Sequence, residues 1–358
     1  MHSFPATPRK LLIRSTNWIG DAVMTTPAIR TIRHNFPDTE ITLLVLPWVR
    51  DVFAACPHID DFFIYEKHGR HRGLAGKWRL ARELRAKNFD AAILLQNAFE
   101  AALITKLAAI PNRGGYTTDG RGLLLTHPVK KRPGIDAIHQ VHYYQEMVAG
   151  LGLQPGPDAL ELFLDQDALA RAEQELARAL AGRENENKKG PVIGLNPGAA
   201  YGPAKRWPAK KYGQAAALFV RETGGLAVVF GTDADNEAAR VIQETVGGQG
   251  AVLDLTGKTD LATAMAHISL CDVFITNDSG LMHVAAALDT PLVAIFGSTD
   301  HVATGPFCEQ AIILRRDLDC SPCKKTHCPK GHFACMEQIN ADEVCAAALE
   351  LLKKKNNV

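Results

Sequence analysis

The sequence predicts an α/β protein of two successive domains, each an open parallel sheet with crossover helices. Three observations carry this. Short runs of β-branched and leucine residues alternate with longer helical patterns, as buried parallel strands alternate with the helices that connect them. At 358 residues the chain exceeds one ordinary core. The most polar stretch, GRENENKKG at 182–190, separates two such series. The expected domains are therefore 1–182 and 191–340, with 183–190 as linker and a terminal helix in 341–358.

In the first series, KLLIRS (10–15) is a strand and a helix follows from about Asp21 to Asn35. ITLLVL (41–46) and FFIY (62–65) are strands, and the second leads through a basic loop into a helix at 74–87. DAAILLQ (90–96) precedes a helix at 98–109. NRGGYTTDGRG (112–122) reads as loop, followed by helices at 138–151 and 166–181. The second series opens with PVIGLN (191–196) and a helix at 208–223. LAVVFG (226–231), VLDLTG (252–257), DVFITN (272–277) and PLVAIFG (291–297) are further strands. Two such domains joined by one hydrophilic linker imply a cleft between their strand C-termini. No internal repeat is legible.

Apolar residues make up 46% and charged residues 22%, an ordinary globular balance. A formal net charge of +1 gives no basic face for nucleic acid, and none is expected as a partner. No apolar run approaches the roughly 20 residues that span a bilayer. The start, MHSFPATPRKLLIRS, lacks the apolar segment of a secretory signal, so a cytoplasmic location is expected. Cys56, Cys271, Cys308 and Cys345 are scattered, whereas Cys320, Cys323, Cys328 and Cys335 fall close together. Without a signal peptide, a disulfide framework is not expected.

Three strand-end loops hold the candidate chemistry. In TNDSGLMHVAAAL (276–288), Asp278, Ser279 and Gly280 occupy the first turn of a helix, where unpaired N–H groups favour an anion. His283 lies one turn further along the same face. Taken singly, Asp278 also suits a plain N-cap and His283 a core histidine. In GLNPGAAYGPAKRWP (194–208), Asn196, Pro197 and Gly198 make a turn, and Lys205 and Arg206 follow. Small residues beside a cation suit a diphosphate, although the same loop reads equally well as a solvated basic turn. Neither GxxxxGK[ST] nor a GxGxxG after the first strand is present, which argues against a dinucleotide oxidoreductase. In FGTDADNE (230–237), at least two of Asp233, Asp235 and Glu237 are expected to cap the next helix.

STNWIGDAVMTTPAIR, GLNPGAAYGPAKRWP, TGKTDL and TNDSGLMHVAAAL together resemble motifs of the bacterial ADP-heptose:lipopolysaccharide heptosyltransferases, glycosyltransferase family 9. The resemblance runs from about residue 10 to 350. CSPCKKTHCPKGHFACM (320–336) resembles the branch that adds the second heptose. It implies a GT-B fold, two Rossmann-like parallel-sheet domains facing a central cleft, with acceptor on the first and nucleotide-sugar on the second. The terminal helix, about 341–354, would then cross back to the first domain. It also implies Asp21 as catalytic base and Lys205 as the cation on the leaving group. Asn196, Gly198, Thr259, Asp278, Ser279, Gly280 and His283 would join Lys205 in holding the donor. Where relatives can carry hydroxyl residues before that lysine, this chain has Ala199 and Ala200.

The implied substrates are ADP-heptose and a Kdo–lipid A core acceptor, with peripheral attachment to the inner membrane through the lipid. In EKHGRHRGLAGKWR (66–79), Arg70, Arg72 and Lys77 are the expected acceptor contacts, a solvated loop being the plain alternative. No cofactor is expected, and no metal at the diphosphate. A general base attacking through the acceptor hydroxyl from the face opposite ADP implies inversion. Three alternatives stand: transfer of the first heptose, another GT-B enzyme of nucleotide-sugars, and a non-enzymatic nucleotide-binding module stabilised by zinc. The last rests on the C-x2-C-x4-C-x6-C spacing at 320–335, with His327 and His332 nearby.

Overall fold

Twelve strands among the described residues form two parallel six-stranded sheets of one topology. The computed structural model describes residues 4–5, 7–181, 190–247 and 251–356. The chain divides into two units, Met1–Phe163 and Leu164–Val358.

In the first unit the strands are β1 (Lys10–Arg14), β2 (Glu40–Val45), β3 (Asp61–Ile64), β4 (Ala91–Leu94), β5 (Asn112–Tyr116) and β6 (His127–Val129). Their order is β3-β2-β1-β4-β5-β6. Its α-helices are α1 (Ile19–Met24), α2 (Thr26–Asn35), α3 (Gly73–Ala86), α4 (Phe99–Leu107) and α5 (Gln140–Ala149). In the second unit β7 (Val192–Asn196), β8 (Leu226–Val229), β9 (Val252–Asp254), β10 (Val273–Asn277), β11 (Leu292–Ile295) and β12 (Ala311–Leu314) run β12-β11-β10-β7-β8-β9. Counted from its own first strand, this is the same Rossmann order. Strand order reverses between β1 and β4 in one unit and between β7 and β10 in the other. Loops leaving those strands therefore diverge to opposite faces and open a crevice at each switch point.

The second unit's helices are α6 (Gln166–Ala181), α7 (Ala209–Thr223), α8 (Asn236–Val246), α9 (Leu261–Ser269), α10 (Gly280–Ala287), α11 (His301–Thr304), α12 (Ala334–Glu337) and α13 (Ala341–Asn356). α7 shows how sequence punctuates these elements. Pro208 sits at its N-cap, Tyr212, Ala215, Ala216 and Phe219 face the core, and Gly224 ends it at φ 68°. The α6 helix belongs to this unit: Ala168 and Ala172 pack on Ala266 of α9. The division thus falls before α6, and residues 183–189 of the expected linker lie outside the described residues. The expected C-terminal helix is α13, whose Val344, Ala348 and Leu351 are buried in the second unit's core.

The stretch 112–122 is not a plain loop, because β5 begins it and β6 follows at 127. Apolar run length misses β5, NRGGY, because close packing takes the place of side chains there. A Cβ at Gly114 would stand 2.7 Å from Leu151 Cδ2 and 3.2 Å from the Phe4 ring. The same constraint acts in β7, where a Cβ at Gly194 would collide with the Phe274 ring and lie 3.0 Å from the Cys271 sulfur. Gly194→Ala is expected to destabilise the protein by about 1–3 kcal/mol through overpacking. Chemical denaturation read by far-ultraviolet dichroism checks this, and an unchanged midpoint would show that the contact relaxes freely.

Candidate active site

At the second switch point, β7 and β10 lie side by side, with Asn196 in register with Thr276. The Asn196 amide donates to Thr276 Oγ1 at 3.0 Å and to Ser279 Oγ at 2.7 Å. The Asn277 side chain ties the next loop down. Its Oδ1 accepts from the Trp207 backbone N–H at 3.0 Å, and its Nδ2 donates to the Pro197 carbonyl at 2.8 Å. Trp207 is buried, packs edge-on against Tyr212 and donates its indole N–H to the Ile339 carbonyl. A core side chain thus fixes the loop that brings Lys205 to the crevice.

Lys205 Nζ donates to Asp278 Oδ2 at 2.6 Å, and Thr299 Oγ1 donates to the same oxygen at 2.5 Å. The Lys205 side chain is 14% exposed and that of Asp278 5%. Asp278 does not cap α10: Ser279 is the N-cap and accepts from the Met282 N–H at 3.4 Å. Gly280 opens that helix and His283 is buried one turn along. Lys205 also stands over the Tyr201 ring, 4.9 Å from its centroid. The result is a cation beside a helix N-terminus, a polarity suited to an anionic phosphate.

Around this node, Gly198 leaves room for Asp235, whose carboxylate would lie within 2.9 Å of a Cβ there. Asp235 closes a capping box with Thr232, whereas Glu237 pairs with Arg240 at 2.7 Å on the surface, so one of these acidic residues caps where at least two were expected to. Thr259 is half-buried in the loop after β9, directly before Asp260, the N-cap of α9.

The first switch point follows β1. Arg14 is buried there, and burial pulls its guanidinium down to about 10. It donates to Asn17 Oδ1 at 2.7 Å and to the Ser15 carbonyl at 2.5 Å, and it sits 5.6 Å over Tyr65. These bonds set the turn that enters α1. Asp21 lies in the first turn of α1, while Trp18 holds the N-cap position without a side-chain bond. Burial first, and then the charge of Asp21, push the phenol of Tyr144 on α5 well up. The Ser15 and Thr16 hydroxyls just before Asp21 are buried without a hydrogen-bond partner among the described residues.

The family model for glycosyltransferase family 9 (heptosyltransferase) matches residues 77–334. The chain belongs to glycosyltransferase family 9. The lipooligosaccharide heptosyltransferase 2 of Haemophilus ducreyi is 31% identical over 354 residues, 96% of this chain and 99% of the relative. The solved E. coli ADP-heptose LPS heptosyltransferase II is 27% identical with a TM-score of 0.80, covering 97% of this chain and 99% of that one. A family 9 glycosyltransferase from Veillonella parvula superposes with a TM-score of 0.85 at 26% identity, over 97% of this chain and 98% of that one. The two Rossmann-like units are those of this GT-B glycosyltransferase family.

In this glycosyltransferase the basic stretch before α3 is largely internally compensated. Arg70 reaches Glu66 at 3.2 Å and Glu83 at 3.6 Å, and Lys77 reaches Glu100 at 2.7 Å. Glu100 also pairs with Lys67 at 3.5 Å and accepts from the Tyr65 hydroxyl at 2.8 Å. Arg72 is exposed at the N-cap of α3. Among the described residues no group of three or more His, Cys, Asp or Glu side chains stands ready as a metal-ligand set. Sequence reasoning missed Thr299 and Thr276. Thr299 comes from the loop after β11, and nothing local marks it as a partner of Asp278.

The Lys205–Asp278 pair is expected to behave as one unit. In a double-mutant cycle of Lys205→Met and Asp278→Asn, urea denaturation should give a coupling of about 1–3 kcal/mol. Additive losses would mean that the two groups do not sense each other in solution.

Proposed function

We propose that this glycosyltransferase is heptosyltransferase II, an inverting enzyme. It moves heptose from ADP-L-glycero-D-manno-heptose to the first heptose of the lipopolysaccharide inner core. The similarity to the heptosyltransferase 2 of Haemophilus ducreyi and the heptosyltransferase II of E. coli over nearly the whole chain supports the reading. One observation carries it: at the second switch point Lys205 is held against Asp278 beside the first turn of α10. A diphosphate placed there meets a cation and the N-terminal turn of α10 together, and both gain strength as the leaving ADP gains charge.

The donor set is then Asn196, Gly198, Lys205, Asp278, Ser279, Gly280 and His283, with Thr259 against the adenine. Asn196 works through Ser279, whose hydroxyl it orients at 2.7 Å. Asp21 is the general base that takes the proton of the acceptor hydroxyl as it attacks the anomeric carbon. The carbon–oxygen bond to the acceptor forms as the bond to ADP breaks on the opposite face. Arg70, Arg72 and Lys77 meet the carboxylates and phosphates of the Kdo–lipid A acceptor. Arg70 and Lys77 must exchange carboxylate partners to do so, whereas Arg72 is exposed at the start of α3. No helix among the described residues is long and apolar enough to cross a membrane. Attachment to the cytoplasmic face of the inner membrane is accordingly assigned to the lipid acceptor and this basic stretch.

Mass spectrometry of Kdo–lipid A acceptors after incubation with ADP-heptose tests the proposal, with heptose-free and mono-heptosylated forms both offered. One heptose should be added to the mono-heptosylated acceptor. Transfer only to the heptose-free form would contradict the assignment. In the same assay Asp21→Asn should cut turnover by about 10²–10⁴-fold with ADP affinity retained. Asn keeps the shape of the side chain and most of its capacity to satisfy a helix end, so activity within a few-fold of wild type would remove Asp21 as the base.

A further inference from the structure

Between β12 and α12, residues 315–333 contain neither helix nor strand. A stretch this long without regular structure is uncommon in a packed domain and needs another source of order. Its three cysteines and Cys335 of α12 line one cavity of about 20 Å³, shared with Ala204 and Ser298. We infer that Cys320, Cys323, Cys328 and Cys335 bind one thiolate-preferring metal ion of the zinc class, which pins this segment onto the loops carrying Lys205 and Thr299.

The cavity has the volume of a single water-sized guest, so it suits one ion and not a multi-atom cluster. The Ser298 hydroxyl, buried in the same wall, has no hydrogen-bond partner among the described residues and remains available to donate to a sulfur. No carboxylate lines the cavity, which disfavours calcium or magnesium and leaves a soft donor set. His332 also lines it, but its Nδ1 accepts from the Ala334 N–H at 3.0 Å. In the neutral ring the proton then sits on Nε2, so the ligands are the four sulfurs.

The sulfurs do not already stand as a ligand set. Binding balances as four thiols and one divalent ion giving a tetrathiolate complex of net charge −2 and four protons. A bound ion of this class would hold each sulfur at about 2.3 Å. Lys330 also lines the cavity.

The consequence reaches the donor loops. The Thr326 carbonyl accepts from the Ala204 N–H at 3.0 Å, and the Lys324 carbonyl accepts from the Tyr201 hydroxyl at 3.0 Å. The Lys324 N–H donates to the Ser298 carbonyl at 2.6 Å, and Ser321 Oγ donates to the Gly297 carbonyl at 2.6 Å. The cysteine segment therefore clasps both loops that supply partners to Asp278.

The test is elemental analysis of the full chain purified without added metal or chelator and then dialysed. About one zinc per chain is expected, released by p-mercuribenzoate and read with a chromogenic chelator. The Cys320→Ser/Cys323→Ser double variant should lose the metal, and Cys308→Ser, altered outside the cluster, should keep it. Wild-type protein with less than about a tenth of an equivalent of metal would overturn the inference, because a structural zinc site of this kind binds far too tightly to empty on dialysis. So would peptide mapping that finds disulfides among these four cysteines, or metal retained by the double variant. If the double variant is insoluble, the mercurial release from wild type decides the matter alone.

Discussion

The second unit is organised around the bond between Lys205 and Asp278. An ammonium and a carboxylate this little exposed must be paired, since either alone in that position would lose its hydration without compensation. The requirement reaches outward through named contacts. Thr299 saturates the second demand on the same carboxylate oxygen, and Asn277 and Trp207 anchor the chain on either side. Asn196 binds Ser279, the cap of α10. In the proposed reaction a phosphate entering here would compete with Asp278 for Lys205, and the helix N-terminus would offset the cost. Under the proposed function the pair keeps the cation oriented before a ligand arrives, a preorganisation that acts on rate more than on stability.

The first unit solves a related problem with different groups. Arg14 is buried at the end of β1 and spends its donors on the turn that follows, reaching Asn17 and the Ser15 carbonyl. Trp48 adds a bond from its indole to the Asn17 carbonyl at 3.0 Å. That turn delivers Asp21 at the switch point, in the same topological place that Lys205 and Asp278 occupy in the other unit. The equivalence is one of strand order, and the residues used at each place are unrelated.

Much of this was legible in the sequence, for a physical reason. Buried parallel strands must be apolar on both faces, so KLLIR, ITLLV, VIGLN and VFITN announce themselves. Strand-end loops rich in small residues and carrying one cation were legible too, and Lys205, Asp278 and Ser279 do converge. β5 was not, because Gly114 answers to the packing of Leu151 and Phe4, and Gly115 to Leu94 and Arg121, and not to any propensity. The acidic loop at 232–237 resolved toward capping, since Thr232 and Asp235 satisfy each other. Thr299 could not be found because its role arises only when β11 is laid beside β10. In the basic stretch Glu66, Glu83 and Glu100 were in view, yet only the fold shows that they pair with Arg70 and Lys77.

The central claim is that Lys205 is poised for a diphosphate. Calorimetric titration of ADP and of AMP into wild type and Lys205→Met tests it most directly. Loss of one charge-assisted bond should weaken ADP by about 10–100-fold and AMP, which lacks the second phosphate, by less. A folded Lys205→Met protein that binds ADP within twofold of wild type would contradict the account.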